Sequence, residues 1–305
     1  MAAMIKTKNL SKQYQDFKAL KNVSMTVEKG QIYGFVGKNG AGKTTFFKCL
    51  MGLTTSTSGE IKINGSKKVE GERKNIGFMI GSAFFPYFTA RQNIEYYRKL
   101  KGITDKKETE RVLKLVNLDK EKKPFKSFSM GMKQRVGIAN ALLGQPDLVI
   151  LDEPLNGLDP QGITDIRHII QDVNETYGTT FIISSHILSE LDLVATHFGF
   201  IDGGVLLKEI SHQELHQLMA KTLVLEVDDT EKALQILKQE FQVPTTEIGE
   251  HGEIILDAQN MDTSKISKAI VNSQLELRAI YKKEMTLENY YFNLINHKEG
   301  ARADV

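Results

Sequence analysis

The sequence predicts an α/β fold on a mostly parallel sheet, with its functional groups along one edge of that sheet. Three observations lead there. Gly37-Lys38-Asn39-Gly40-Ala41-Gly42-Lys43-Thr44-Thr45 fits the phosphate-loop pattern G-x-x-x-x-G-K-S/T in full. It stands between a β-leaning apolar run, residues 31–36, and the apolar start of a helix, residues 46–51. Farther on, residues 148–151 are apolar without interruption and end in Asp152-Glu153. A strand that is apolar on both faces belongs to a sheet covered on both sides, characteristically a parallel one. Open sheets of that kind bind ligands at the carboxyl ends of their strands.

The glycines let the backbone curl so that successive N–H groups point at phosphate oxygens, and the following helix adds the partial positive charge of its N-terminus. In that setting Lys43 reaches the β- and γ-phosphates, and the Thr44 hydroxyl holds Mg²⁺. The plain alternative, a glycine-rich turn with an accidental Lys-Thr, does not account for the strand before it and the helix after it.

A chain of 305 residues has room for one large domain and a small one. Its 41% hydrophobic and 26% charged content is ordinary for a globular protein. A net charge of +2 gives no footing for nucleic acid or an anionic membrane surface. Cys49 is the single cysteine, which rules out an internal disulfide and fits a reducing compartment. No signal peptide and no run of transmembrane length are expected. If the protein works at a membrane, another chain crosses it.

Taken in order, residues 4–10 alternate as a half-buried strand, Tyr14 and Phe17 fall in a polar turn, and Val23, Met25 and Val27 mark a second strand. Tyr14 either stacks on a nucleotide base or covers a sheet edge. After the first helix come a loop at 54–59, a strand at 60–64, a Lys-rich solvated loop at 65–75 and a short buried strand at 76–80. The aromatic-rich stretch 81–88 follows. Thr89 caps a helix running to about Lys101, and a second helix covers 105–117. Ser129 caps an Ala- and Leu-rich helix that ends near Leu143.

Asp152, at the end of its buried strand, is placed to hold Mg²⁺, and Glu153 to act as general base on a water. Pro160 suits the first position of a helix ending near Tyr177. Residues 179–184 form another buried strand that ends at Ser185-His186, so His186 shares a rim with Lys43 and Glu153. It either stabilises a γ-phosphate or caps a helix. Residues 197–208 read as a hairpin around Asp202-Gly203-Gly204, followed by a helix at 211–219. From about residue 221 the elements become short: strands at 223–227, 253–256 and 275–280, helices at 231–241, 264–271 and 287–295. This is a small α+β domain without a catalytic constellation, and the tail after His297 is expected to fray.

With these motifs in place, residues 1–220 resemble the ATP-binding subunit of an ABC transporter. The order matches: aromatic, phosphate loop, signature, Asp-Glu strand, Asp loop, His. Phe128-Ser129-Met130-Gly131-Met132-Lys133-Gln134-Arg135 is similar to the signature of single-domain ATPases that pair with separate membrane subunits. The small domain at 221–305 is similar to that of the bacitracin- and lantibiotic-resistance branch. The resemblance implies a P-loop NTPase with a RecA-like core, an antiparallel β subdomain and a helical signature subdomain. It implies ATP and Mg²⁺ as ligands, with Tyr14 on adenine and Gly37, Asn39, Gly40, Ala41, Gly42, Lys43, Thr44 and Thr45 on the phosphates. Thr44 and Asp152 hold the metal, Glu153 polarises water, and His186 supports the transition state. Ser129 and Gly131 contact the γ-phosphate held by a second copy, and Asp159 reaches across that dimer. The implied setting is the inner, cytoplasmic face of a membrane, beside a multi-span permease, driving export of a peptide, antibiotic or other amphipathic cargo.

The sequence departs from the family at two places. Members place a Gln, or in the resistance branch a Glu, after the strand at 76–80, whereas Gly81 stands here. Either hydrolysis tolerates the loss, or a neighbour such as Ser82 or a water substitutes; slower or differently coupled hydrolysis is expected. Met130 and Met132 replace small or polar signature residues, while Ser129 and Gly131 are kept. The aromatic stretch 84–88 reads either as core packing or as a socket for a permease helix, and the socket is favoured for some of its rings. A soluble ATPase of DNA repair or the ribosome carries two modules or a coiled-coil insertion, and neither is present. A regulatory or resistance role without transport is the competing reading for the small domain. No Asn-Lys-x-Asp stretch for guanine occurs.

Overall fold

The computed structural model describes residues 3–81, 83–219, 222–241, 246–249, 252–257, 262–283 and 286–303. The chain forms two compact units, Met1–His212 and Gln213–Val305.

The first unit opens with β1 (Ala3–Tyr14), which pairs antiparallel with β2 (Phe17–Val23), β3 (Thr26–Glu28) and, later in the chain, β5 (Ser58–Ile63). Register shifts between Leu10 and Lys12 let one strand serve two partners, its second half turning onto β2. Phe17 therefore begins a strand rather than lying in a polar turn. The Tyr14–Phe17 pair closes the hairpin, and Gln15 takes the left-handed φ of 48° that such a tight turn requires.

β4 (Ile32–Val36) is buried at every position and runs into the glycine loop and α1 (Lys43–Met51). It lies in a six-stranded sheet with β6 (Ile76–Met79), β7 (Leu148–Asp152), β8 (Thr180–Ser185), β9 (His197–Asp202) and β10 (Val205–Ser211). The order is β10-β9-β4-β8-β7-β6, parallel except for β10. The register sets Val36 beside Ser185 and Asp152 beside Ser184. The ends of β4, β7 and β8 therefore arrive at one edge together. Phe46 and Phe47 of α1 pack on Phe35 of β4, with ring centroids 5.1 and 5.8 Å apart, fixing the helix against the strand that feeds it.

The expected loop at 65–75 contains a short helix, α2 (Val69–Glu72), and a 3₁₀ turn, Arg73–Asn75. Arg73 donates to the carbonyls of Leu50 and Cys49, in the last turn of α1, at 2.8 and 3.2 Å. Carbonyls at a helix end lack intrahelical donors and take a cation well. α3 (Ala90–Leu100), α4 (Lys107–Leu115) and α5 (Met130–Ala141) form the helical part. Thr89 and Gln92 make a reciprocal capping box on α3. α6 (Pro160–Tyr177) is capped by Asp159, with Pro160 at its start, and α7 (Leu188–Asp192) follows β8. α8 (His212–Met219) crosses the division in sequence between the two units. Among the described residues no helix is long and apolar enough to cross a membrane.

The second unit contains β11 (Thr222–Val227), α9 (Thr230–Phe241), β12 (Thr246–Ile248), β13 (Ile254–Asp257), α10 (Thr263–Asn272), β14 (Leu277–Lys283) and α11 (Leu287–Ala303). Its antiparallel sheet runs β12-β13-β11-β14. Up to β14 this is a β-α-β-β-α-β split unit of ferredoxin-like topology. Leu223, Leu225, Leu237, Ile254, Ile266 and Ile270 make its core. β12 carries too short a signal to be read from sequence, and α11 extends to Ala303 where a frayed end was expected.

Within the helical part, Arg98 is buried and grips Glu95 through bonds of 2.7 and 3.2 Å, while Thr109 donates to the same carboxylate at 2.9 Å. The Arg98 hydrogen bonds hold the Glu95 carboxyl down to about 2, against an ordinary 4.5. Its contribution to stability is complete above the ordinary carboxyl range and is lost as pH falls through 4.5 towards 2. Glu95→Gln is expected to lower thermal stability at neutral pH and to flatten the loss of stability across that acid window. Thermal unfolding of both chains from pH 7 to 2.5 checks this.

Candidate functional site

The site is assembled from the ends of β4, β7 and β8. Beyond Val36 the chain turns through the glycine loop, and Lys43 opens α1 with its side chain folded back inside. Lys43 is 5% exposed. Its ammonium donates to the Gly37 carbonyl, lies 3.4 Å from the Lys38 carbonyl and stands 3.1 Å from Glu153 Oε1. A buried ammonium needs such partners, because stripping its water uncompensated is very unfavourable.

Glu153 lies one residue past β7 at φ 53°, a left-handed conformation uncommon for a non-glycine residue. Its other oxygen, Oε2, is 2.7 Å from His186 Nδ1 and 3.3 Å from the His186 backbone N–H. A carboxylate only accepts, so Nδ1 carries the proton in this pair and Nε2 is left for other partners. Thr44 donates to Asp152 Oδ2 at 2.7 Å. A hydroxyl and a carboxylate side by side next to a phosphate loop are hard oxygen donors of the kind that suit Mg²⁺.

A cavity of about 270 Å³ lies over the loop, lined by Phe17, Lys38, Gly40, Lys43, Thr44 and Glu153 among others. Phe17, 64% exposed, thus faces the phosphate loop, a placement its sequence neighbourhood did not signal. Tyr14 is half-exposed at the facing position of the hairpin, with Lys12 Nζ 4.7 Å above its ring. The loop rests on the β9–β10 hairpin, where Gly204 donates to the Ala41 carbonyl at 2.9 Å and accepts from Lys21 N–H at 2.7 Å. Asp202 pairs with Lys38 at 3.0 Å. The Gly-Gly pair marks a turn in the sequence, but nothing there ties it to the phosphate loop.

This combination, with a signature helix and an Asp loop on the same unit, sets the chain beside known proteins. A family model described as ABC transporter matches residues 20–156. The chain is 40% identical, over 97% of its own length and 98% of theirs, to the uncharacterized ABC transporter ATP-binding protein YcbN of Bacillus subtilis and to the bacitracin transport ATP-binding protein BcrA of Bacillus licheniformis. It belongs to the ABC transporter ATP-binding family. It is also 38% identical to the lantibiotic transport ATP-binding protein SrtF of Streptococcus pyogenes, over 73% of this chain and 99% of that one. Among solved structures it is similar to a dimeric ATP-binding cassette in a post-hydrolysis state with ADP and Pi, at 26% identity and TM-score 0.62, covering 68% of this chain and 99% of that one. The activity of the ABC chain is ATP hydrolysis.

Lys43, Thr44, Asp152, Glu153 and His186 meet in one place. Ser129 and Gly131 do not line that cavity. Ser129 accepts from Met132 N–H at 3.3 Å as the cap of α5, and Asp159 accepts from Gly162 N–H at 2.9 Å as the cap of α6. These two helix starts adjoin each other, a Cβ on Gly131 falling 3.8 Å from Leu158. Gly81 takes φ 59°, a backbone conformation that strains any residue with a side chain, and its surroundings are open. Ser82, expected as a possible substitute for the missing side chain, lies outside the described residues.

The hairpin support is testable. Gly204 has φ 80°, and a Cβ there would stand 2.6 Å from the Ala19 carbonyl. Gly204→Ala is expected to lower stability by about 1–3 kcal/mol. It should also weaken ATP affinity at temperatures where the variant stays folded, as read by unfolding and by titration with a fluorescent ATP analogue.

Proposed function

We propose that the chain is the motor of an exporter of amphipathic peptide antibiotics, in which two copies close on two ATP molecules and drive a separate multi-span permease from the cytoplasmic face. The single observation that carries this is the meeting of Lys43, Asp152, Glu153 and His186 at the ends of three neighbouring parallel strands, in a chain alike end to end to a bacitracin transport subunit.

In this reading Gly37, Asn39, Gly40, Ala41, Gly42, Lys43 and Thr45 cradle the phosphates, and Tyr14 stacks on the adenine. Thr44 and Asp152 would hold Mg²⁺, which would supply charge neutralisation at the phosphate oxygens. Phosphate oxygens compete for the Lys43 ammonium that Glu153 otherwise faces, so nucleotide binding frees the carboxylate that takes a proton from the attacking water. His186, already bonded to Glu153 through Nδ1, orients it. Ser129 and Gly131 serve the nucleotide on the other copy, and Asp159 meets that copy across the interface. Residues 221–305 form the accessory domain of the subunit.

The permease docks on the aromatic surface before α3. Phe84 packs inward on Tyr97 and Phe125, while Phe85, Tyr87, Phe88 and Tyr96 remain substantially exposed. Asn93, fully buried, ties the loop down, accepting from Phe85 N–H and donating to the Phe85 and Thr89 carbonyls. Aromatic rings held rigid at a surface suit an interface.

Glu153→Gln should bind ATP, lose most turnover and accumulate as an ATP-bound dimer in size-exclusion chromatography. Wild-type turnover in that variant would remove Glu153 from the role of base. Tyr87, 75% exposed, can be changed without disturbing the core. Tagged wild-type chain should bring a multi-span protein out of mild-detergent extracts in near-equal amount. Tyr87→Asp should lose that partner while keeping ATP affinity, and recovery of ribosomal or repair proteins instead would overturn the transport reading.

A further inference from the structure

Ser184 has no role in the assignments above, yet its hydroxyl stands between the two acids. It is the penultimate residue of β8 and is fully buried, following Phe181, Ile182 and Ile183, which are buried as completely. A hydroxyl in such a strand must find partners. Its Oγ accepts from the backbone N–H of Glu153 at 2.9 Å and donates to Asp152 Oδ1 at 2.6 Å. The direction of both bonds is fixed by valence. An N–H can only donate, so the single proton of Ser184 is left for the carboxylate.

We propose that Ser184 is a positioning residue of the ATPase site, whose hydroxyl holds the backbone of Glu153 in place and selects which oxygen of Asp152 is offered to the cation. The inference rests on the roles given above to Asp152 and Glu153.

Two features of the geometry give this content. Glu153 is held at φ 53°, a conformation that persists only where its surroundings enforce it, and the bond to Ser184 anchors the peptide that sets its direction. Asp152 Oδ1 is engaged by Ser184, so the face carrying Oδ2 is the one turned to Thr44 at 2.7 Å. One hydroxyl therefore couples the orientation of the metal-holding carboxylate to that of the base. The parallel register supplies the hydroxyl, setting Ser184 directly beside Asp152 across β7 and β8. The next residue, Ser185, is used differently, its Oγ accepting from Ile187 N–H at 2.9 Å in the turn that carries His186.

The test is the full chain with Ser184→Ala, Ser184→Thr and Glu153→Gln. Ser184→Ala is expected to lower kcat at least about tenfold, a part of the roughly 10²–10⁴-fold that the positioned base it orients contributes. ATP affinity in EDTA should stay within about twofold of wild type, as expected when only an interaction made in the transition state is lost. Mn²⁺ affinity in the presence of a non-hydrolysable ATP analogue, read by electron paramagnetic resonance, should weaken. Ser184→Thr, which keeps the hydroxyl on a β-compatible residue, should recover turnover. Wild-type kcat in Ser184→Ala would overturn the inference. So would a parallel fall of kcat, EDTA affinity and thermal stability, which marks a packing role alone. If Glu153→Gln is inactive while Ser184→Ala is normal, only the Ser184 inference falls; if Glu153→Gln is itself normal, the assignment of the base falls with it.

Discussion

The constraint on which the rest depends is a buried positive charge. Lys43 enters the protein at the mouth of the glycine loop with almost no water around it, so carbonyls and a carboxylate must surround its ammonium. The carbonyls come from the loop itself, but the carboxylate comes from a strand more than a hundred residues later. That strand must therefore end level with β4, and the intervening β8 makes it so through its register with both neighbours. The parallel sheet is in this sense the device that lets one lysine be buried.

Everything packed around the loop serves to keep that geometry fixed. From below, the β9–β10 hairpin bonds to Ala41 and pairs Asp202 with Lys38. From behind, the rings of Phe35, Phe46 and Phe47 lock α1 to its strand, and Arg73 closes the far end of the helix. The loop is thus held at several points, which is what preorganised phosphate binding requires, since donors already in place need not reorganise when charge arrives. Glu153 is the exception. It is shared between Lys43 and His186 on a backbone in an uncommon conformation, and it is the group whose partners nucleotide binding would exchange.

Signature and Asp loop lie apart from this cluster, each using its polar side chain to begin a helix. In the proposed dimer a helix start of this kind presents unpaired N–H groups and a partial positive charge, which suits a phosphate brought by another copy. In that proposal, a site divided in this way makes hydrolysis conditional on association of the two copies. The aromatics proposed to meet the permease hang on Asn93, one turn into the helical part, so that proposed surface lies on the same helical part as the signature helix.

The sequence alone determined the chemistry of the nucleotide site. A phosphate loop, an apolar strand ending in two acids and a His after another apolar strand are local patterns, each dictated by nearest neighbours in the chain, and they were legible as such. Helix caps at Thr89 and Ser129 were legible for the same reason, since a cap acts within three residues, whereas the cap at Asp159 was not read although Pro160 marked the helix start. Only the tertiary structure decided what depends on pairing between distant segments. The placement of Phe17 over the loop follows from how β2 pairs with β1, and the support of Ala41 by Gly204 follows from where a hairpin lands. The bridging of Asp152 and Glu153 by Ser184 follows from strand register. The topology of the small second unit likewise waited on pairing, because β12 is only three residues long and its hydrogen bonding to β13 is what completes the βαββαβ order and selects the sheet.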